Sequence, residues 1–378
     1  MEKHVDCKEI AALFLKLGFI GFGGPAAHIA MMRQEVVVKR AWLTEAHFLD
    51  LIGATSLIPG PNSTEMAIHI GHEKGGVKGL VVAGLCFILP AVLLTGVFAY
   101  LYQNYGQIPS VKTFLYGIKP AIIAIILAAI YPLAKKSLKT IPLLLLGIAA
   151  LVLALLRFNE IYILFGSGLV ALAFSKIKNQ PTWSWLPLLT LELLTLELPK
   201  TALVAVTNWN LFWLFLKIGS VLYGSGYVLF AFLDTELVAT GMLPRATLID
   251  AIAVGQFTPG PVFSSVTFVG YQLHGLQGAM VATIAIFIPS FLFVALLNPL
   301  VHKLRNSSSF RIFLDAVNAA SVAVIFAICL QMGKEAILDW RTVIIAGISV
   351  LITFGYPKIN SAFIVLFGAL AGYILYLV

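Results

Sequence analysis

The chain has 378 residues, of which 60% are hydrophobic and 11% are charged, and its mean hydropathy is +0.96. A soluble domain carries about 25% charged residues, so this composition excludes an ordinary soluble protein. The formal net charge of +8 does not indicate nucleic-acid binding, because the basic residues lie in short loops between apolar runs.

Apolar runs of about 20 residues, the length that crosses a bilayer, recur from end to end. They predict an all-α, polytopic membrane protein, since the alternating ten-residue pattern of a membrane barrel is absent from the sequence. The polar first residues, Met1 to Glu9, do not resemble a cleavable signal. The three cysteines are widely spaced, so neither a disulfide framework nor a metal site is expected.

The sequence repeats itself at an offset of about 200 residues. Pro59-Gly60-Pro61 recurs as Pro259-Gly260-Pro261, and an aspartate stands nine residues before each, at Asp50 and Asp250. The segment "FLKLG" near the start recurs as "FLKIG". We therefore predict a first repeat at 1–178, an interfacial linker at 179–203 and a second repeat at 204–378.

The charge of the loops predicts that the two repeats are inverted. Loops 33–45, 72–78 and 135–139 are basic in the first half, whereas loop 302–311 is basic in the second and its counterpart 105–112 is not. Basic loops mark the cytoplasmic side, so equivalent loops lie on opposite faces. This requires an odd number of spans in each half when the linker does not span; an extra span in the linker is the alternative, but it would bury two glutamates. Five spans in each half are predicted, near 10–32, 79–103, 113–134, 141–156 and 160–175, and near 204–228, 278–301, 312–332, 342–355 and 360–377.

Each Pro-Gly-Pro motif is predicted to break a helix inside the membrane, at the tip of a re-entrant hairpin. Pro59 disfavours helical geometry at Ile58, and Pro61 with Asn62 favours the start of a new helix. The N-terminus of that helix is suited to bind an anion. Inverted repeats with broken helices are typical of secondary transporters.

Glycine clusters predict a second pair of breaks, in the first span of each half. The N-termini of four half-helices would then converge near the midplane, and two matching lysines would supply positive charge, a set that suits a small oxyanion. The predicted substrate-binding residues are Lys16, Gly23, Gly24, Gly60, Asn62, Ser63, Thr64, Lys217, Gly224, Ser225, Gly260, Ser264 and Ser265.

These features also have structural interpretations. Glycine-rich spans can serve only as close-packing surfaces, and Lys16 is near enough to its helix start to snorkel to the interface.

Three acids, Asp50, Glu65 and Asp250, are candidate coupling-ion sites, because acids within membrane segments are often functional. The aspartates can instead cap or pair within the hairpins, and Glu65 stands where a capping-box glutamate belongs. Glu65, His69 and His72 share a helical face at metal-ligand spacing, but a metal site is not expected there.

The long motifs of both halves resemble those of the chromate ion transporter family, over essentially the whole chain and in its long-chain, two-half form. The first half has "FGGPAAHIAMMRQEVV" and "IGHEKGGVKGLVVAGLCFILPA", and the second has "DAIAVGQFTPGPVFSSVTFVGYQLHGLQGA" and "ATIAIFIPSF". The resemblance implies export of an anion, chromate in the named case, with resistance as the result. The chain departs from the family pattern at Tyr223 to Gly226, where a motif richer in glycine is expected, and at Met242, where no tryptophan matches Trp42.

The predicted function is therefore a secondary-active transporter of a tetrahedral oxyanion, with chromate efflux by alternating access as the favoured case. The expected location is the plasma membrane of a prokaryote, without a cofactor, with protons as the coupling ion in an antiport and with a homodimer as a possible assembly. The alternatives are an importer or exchanger of sulfate or a related anion, a channel, and a membrane-embedded enzyme. The enzyme is disfavoured because the sequence has no clustered carboxylates, no His-Glu-x-x-His motif and no glycine-bounded nucleophilic serine.

Overall fold

A computed structural model describes residues 5–179, 207–305, 307–356 and 359–377. In these ranges all regular structure is helical, which confirms the all-α prediction. The predicted linker at 179–203 lies outside the described residues, apart from its first residue.

The described helices of the two halves match one for one. Each half has a short π-helical segment after its second helix, at Gln34–Lys39 and Asp234–Val238. The first half contains α1 Cys7–Ile20, α2 Gly24–Arg33, α3 Glu45–Thr55, α4 Asn62–Tyr105, α5 Pro109–Ser137, α6 Ile141–Leu155 and α7 Glu160–Asn179; the second contains α8 Asn208–Val221, α9 Val228–Leu233, α10 Arg245–Phe257, α11 Ser265–Arg305, α12 Ser308–Ala336, α13 Trp340–Gly355 and α14 Ser361–Leu377.

Local signals fix where several of these helices start. The side chains of Thr44, Thr140 and Thr207 each accept a hydrogen bond from a backbone N–H in the first turn of α3, α6 and α8. Asp339 forms a capping box at the start of α13. Prolines stand in the first turn of α2, α5 and α6, where the missing N–H costs little.

Four segments are long and apolar enough to cross a membrane, and four shorter helices are similarly apolar. Many of their large apolar side chains are exposed on the outer surface, as expected of residues that face lipid. The chain is therefore a multi-pass membrane protein. The long segments are Asn62–Tyr105, Val111–Ser137, Val262–Leu296 and Ser308–Ala336, and the shorter ones are Ile141–Leu155, Glu160–Ser175, Trp340–Gly355 and Ser361–Tyr376.

Helix α4 is a hairpin of two helices that turns at Gly76, whose φ of 56° and ψ of −148° are not helical. Gly71 and Gly79 pack backbone against backbone, although eight residues of a straight helix would separate them by about 12 Å. We call the two parts α4a (62–75) and α4b (77–105).

Helix α11 repeats this hairpin at Gly275, whose φ of 58° and ψ of −152° are almost the same. Its parts are α11a (265–273) and α11b (276–305). With α3 and α10, which precede the Pro-Gly-Pro motifs, α4a and α11a form short helical hairpins whose tips are the two motifs. This is the geometry predicted for the re-entrant segments.

The first helix pair is a correction to the predicted single span at 10–32. Lys16 Nζ lies 3.0 Å from Glu35 Oε1, and Arg40 Nε lies 3.9 Å from Glu9 Oε1. If α1 and α2 were coaxial, the Cα atoms of the first pair would be about 28 Å apart. The chain instead folds back at the glycines between the helices. Besides the hairpins that turn at Gly76 and at Pro59-Gly60-Pro61, the first half therefore has a third hairpin, formed by α1 and α2, with its tip inside the protein.

The second half has the same hairpin where a single span was predicted at 204–228. Lys217 Nζ lies 2.5 Å from Glu236 Oε1, which folds the π-helical segment after α9 back against α8. The turn is made by the residues between Val221 and Val228, among them Gly224 with a φ of +95°.

Contacts between the halves place the turns at Gly76 and Gly275 at opposite ends of the molecule. Gln272, three residues before Gly275, donates a hydrogen bond of 3.1 Å to the carbonyl of Ala99. At 1.5 Å per residue, Ala99 lies about 35 Å along α4b from Gly76, close to the thickness of a bilayer. We call the Gly76 end the basic face and the Gly275 end the opposite face. Inverted repeats require this arrangement, and their orientation in a membrane stays a prediction.

Candidate functional site

The two Pro-Gly-Pro tips dock reciprocally on the hairpin tips of the other half. The N–H of Gly60 donates to the carbonyl of Leu222 (2.8 Å), and the N–H of Gly260 donates to the carbonyl of Gly21 (2.7 Å). Gly21 and Leu222 are equivalent positions, 201 residues apart in the repeat. The four predicted breaks are therefore brought together as two pairs inside the protein.

The tip of the first half holds a cluster of buried polar groups, which we call the first tip cluster: Gly60, Thr64, Glu65 and Ser290. A Cβ at Gly60 would collide with the Glu65 carboxylate and lie 2.7 Å from Ser290 Oγ. Thr64, Glu65 and Ser290 are each 0% exposed. Their side-chain oxygens make no hydrogen bond of normal geometry to the described residues, although the Ser290 hydroxyl lies beside the carboxylate. Buried polar groups without partners cost free energy, so this is where a polar ligand or a proton is expected.

The tip of the second half has hydroxyl groups but no acid. Ser264 and Ser265 are fully buried at the start of α11a, and Ser265 stands where the first half has Glu65. Thr95 of α4b places its hydroxyl 3.4 Å from Ser264 Oγ and 3.5 Å from Thr258 Oγ1. The two tips thus share a backbone geometry but differ in charge.

A polar cleft of about 120 Å³ reaches the first tip, and two predicted residues, Asn62 and Gly224, lie in its wall. Lys139 Nζ lies 3.3 Å from Asp315 Oδ1 in this cleft, whereas Lys136 has no ion-pair partner among the described residues. The lining residues are Ser56, Ile58, Asn62, Leu133, Lys136, Ser137, Lys139, Gly224, Asp315 and Asn318.

The course of α5 places the lysines of this cleft toward the basic face. Lys119, in the first part of α5, pairs with Asp250 (3.6 Å), which also accepts a hydrogen bond from Tyr102 near the far end of α4b. Lys136 lies about 25 Å further along α5, and α5 runs back from that end of α4b. The cleft therefore connects the basic face with the first tip.

The equivalent positions at the opposite face, 199 residues away in the repeat, are occupied by paired charges. Glu335, the counterpart of Lys136, lies 3.0 Å from the guanidinium at the start of α10. Lys119, the counterpart of Asn318, is paired with the buried Asp250. The molecule therefore presents a cationic cleft at one face and closed ion pairs at the other.

Comparison with known proteins identifies the family. The family model described as chromate transporter matches residues 8–172 and 209–373. The chain belongs to the chromate transporter family. The two matched segments cover α1–α7 and α8–α14, so each half of this transporter corresponds to one copy of the family's repeat.

Relatives of this transporter match it over nearly its whole length. It is 29% identical to the chromate transport protein of Cupriavidus metallidurans, over 98% of this chain and 93% of that protein. It is 28% identical to the probable chromate transport protein of Synechococcus elongatus, over 97% of this chain and 95% of that protein. It is 27% identical to the chromate transport protein of Pseudomonas aeruginosa, over 97% of this chain and 92% of that protein. No solved structure matches the transporter.

The two predicted lysine ligands each bind a glutamate that sequence reasoning missed. Lys16 pairs with Glu35 and Lys217 with Glu236, and in both cases the glutamate is buried and lies nineteen residues after the lysine. The recurrence of this spacing in both halves was the available signal. Neither lysine lines the cleft, so their role as substrate ligands stays a prediction.

Glu35 is the centre of a charged network in the loop after α2. It accepts hydrogen bonds from Lys16 and Lys39, both 3.0 Å, and from Arg40. Burial by itself would raise the pKa of Glu35, but these three cations lower it to about 2. The network ties α1 to the segment after α2 and so holds the first hairpin closed.

The remaining predicted residues occupy varied surroundings. Gly23 and Gly24 have φ values of +102° and +79°, and a Cβ at Gly24 would meet no atom within 4 Å. Ser225 Oγ accepts a hydrogen bond of 3.4 Å from the N–H of Tyr227, within the local turn. Ser63 is buried beside the first tip cluster, and Asp50 is half-buried on α3.

Proposed function

We propose that this protein exports chromate, or a closely related tetrahedral oxyanion, across the plasma membrane of a prokaryote by alternating access. The observation that carries this proposal is the polar cleft, which connects one face with one of two reciprocally docked helix breaks. The names of the relatives, chromate transport proteins, support chromate as the anion.

The first tip offers what a tetrahedral dianion needs. Thr64 and Ser290 present buried hydroxyl groups without other partners, and the N-terminus of α4a adds its dipole. Lys136 places an unpaired positive charge in the cleft that leads there. A doubly charged ion buried without such groups would be strongly disfavoured, so we assign Asn62, Thr64 and Ser290 to the anion site.

The position of the cleft supports export. Basic loops lie on the cytoplasmic side, so the basic face is the cytoplasmic one and the cleft receives anions from the cell interior. Closure of the cleft and separation of the Lys119–Asp250 pair would open the opposite face to the same tips. Because both halves contain the same hairpins, the two states are related by exchanging the roles of the repeats.

Uptake of chromate into inverted membrane vesicles tests this function. We expect saturable accumulation when the vesicle lumen is made electrically positive, and inhibition by excess sulfate if the site accepts both dianions. A channel would give fluxes that do not saturate. The Lys16→Ala/Lys217→Ala variant tests the predicted lysine ligands separately from the function. If its chromate accumulation is unchanged, the lysines are rejected as ligands and the transport function stands. Absence of chromate accumulation with well-inserted protein would refute the proposal.

A further inference from the structure

Helix α4a carries a file of titratable side chains from the first tip to the basic face. Glu65, His69, His72 and Glu73 are spaced at i, i+4, i+7 and i+8, which places them along one side of a helix. Glu65 belongs to the first tip cluster, and Glu73 lies three residues before the turn at Gly76. The file therefore runs the length of α4a.

The inner two members of this file are fully buried and the outer two are partly exposed. Glu65 and His69 are 0% and 1% exposed, His72 is half-buried, and the side chain of Glu73 is 18% exposed. Glu73 Oε2 lies 3.4 Å from Nε2 of His47, whose side chain is 41% exposed. A proton taken up at His47 and Glu73 would thus move inward from partly exposed groups to fully buried ones.

The inner two members have no protein partners for their polar atoms. Both ring nitrogens of His69 and both carboxylate oxygens of Glu65 lack a hydrogen bond of normal geometry to the described residues. A structural histidine in this protein looks different, since His28 is equally buried but places Nε2 2.8 Å from the carbonyl of Gly21. Among the described residues, no group of three His, Cys, Asp or Glu side chains is placed to hold a metal ion.

The surroundings of the file contain few other titratable groups. No cation of the described residues lies within ion-pair distance of Glu65. The neighbouring elements and α4a itself supply the following polar or titratable side chains: Tyr223 after α8, Ser290 on α11b, Asp50 and His47 on α3, and Lys74 at the end of α4a.

Helix α11a, the described counterpart of α4a, has no such file. Ser265 and Val269 occupy the positions of Glu65 and His69, and α11a continues with Tyr271 and Gln272. The repeat architecture therefore does not require acids or histidines here, and their presence in the first half needs another explanation.

We propose, on the basis of the proposed function, that Glu65 carries a proton together with the transported anion and exchanges it with the basic face through His69 and His72. A dianion beside the Glu65 carboxyl favours its neutral form, so anion and proton bind cooperatively at the first tip. Histidine is the side chain suited to pass protons near neutral pH. The proton path along α4a is separate from the cleft that admits the anion. This assigns cotransport of proton and anion, where the sequence suggested antiport.

Two measurements on the purified, reconstituted protein test this path. The first is exchange of chromate between the two sides of proteoliposomes at equal pH, and the second is proton movement during net chromate flux, followed with a pH-sensitive dye. Glu65→Gln mimics the protonated carboxyl, so we expect exchange to continue and proton movement to be lost. His69→Gln is expected to slow proton movement at least tenfold while exchange continues, with partial rescue by added imidazole. His274→Gln, an exposed histidine beside the matching turn of α11, is the control and is expected to change neither.

The outcomes distinguish the path from the function. Unchanged proton movement in Glu65→Gln and His69→Gln, with exchange intact, would overturn the path and leave the transporter. If His69→Gln does not fold, His72→Gln takes its place, because the His72 side chain is only half-buried. The same slowing of proton movement is expected, and unchanged proton movement would overturn the path. Absence of chromate exchange in the unmodified protein would overturn the proposed function, and this inference with it.

Discussion

Removing the charge of Lys136 is expected to weaken chromate binding without unfolding the protein. The cleft volume of about 120 Å³ corresponds to a sphere about 6 Å across, so we take roughly 6 Å as the separation between an anion in the cleft and the ammonium group. A dianion and a single positive charge at that distance attract each other by about 1.4 kcal/mol in water, which is about tenfold in affinity. Salt at physiological concentration screens part of this, so Lys136→Ala should raise the chromate concentration for half-maximal uptake by about threefold to tenfold.

The opposite charge in the same cleft provides the complementary test. Asp315→Asn removes a negative charge and frees Lys139 from its ion pair, so apparent chromate affinity should rise by a similar factor. Lys139→Ala should have a smaller effect than Lys136→Ala, because Asp315 already offsets the charge of Lys139. Both charge effects should shrink at high ionic strength.

The assay is the chromate dependence of uptake into inverted vesicles, at low and high salt, for each variant. Lys112→Ala is the matched control, since this exposed lysine lies on the same helix, α5, but at its other end. The assignment of the cleft as the anion entrance is refuted if Lys136→Ala and Asp315→Asn leave the half-saturating concentration unchanged. It is also refuted if Lys112→Ala shifts that concentration as much as Lys136→Ala does.

Three further predictions concern the frame that holds the site. Gly60→Ala should abolish chromate uptake because its Cβ would collide with Glu65, whereas Gly24→Ala, also at positive φ but in open space, should retain most of the uptake. Glu35→Gln should lower the melting temperature in detergent at pH 7. The pKa of Glu35 is lowered from 4.5 to about 2, so its contribution to stability is complete above pH 4.5 and is lost as the pH falls through 2. The melting temperature of the variant should therefore decrease less than that of the unmodified protein when the pH is lowered. Lys119→Met should destabilise the protein by about 3 kcal/mol by leaving Asp250 buried and unpaired, and a thermal melt of Lys119→Met/Asp250→Asn should show most of that loss restored.

Several elements of the fold could be predicted because their signals are local. Pro59-Gly60-Pro61 and the glycines near Gly24 force the backbone to break wherever they stand, and the repeat doubles each signal. The break in the predicted first span at 10–32 was expected, but the reversal of direction at that break was not, because an apolar run with a glycine break gives no information on whether its halves are coaxial or folded back. That choice depends on long-range contacts such as the pair between Lys16 and Glu35, which no periodic pattern in the sequence contains.

The cleft could not be predicted for a related reason. Lys136 and Lys139 have an adequate explanation in the positive-inside rule, so nothing in the sequence marks them as lining a site. Their neighbours Asn62 and Gly224 come from segments that are far apart along the chain and meet only through the docking of the tips. Glu65 and His69 carried a visible helical spacing, but their lack of partners depends on the packing of α1 and α11 around α4a.

The difference between the two halves determines what a symmetric backbone can do. If the repeats were identical in side chains as well as in helices, the two access states would have equal energy and equal affinity for the anion. Here the cleft at the basic face is cationic, whereas the equivalent positions at the opposite face are held by Lys119–Asp250 and by the ion pair of Glu335. In the proposed cycle, an anion at the first tip would reach the opposite face only when those pairs separate, and their reformation after release would return the protein to the state that binds from the basic face. On this proposal, the ion pairs at one face and the anion at the other would favour opposite states of the same two-state change.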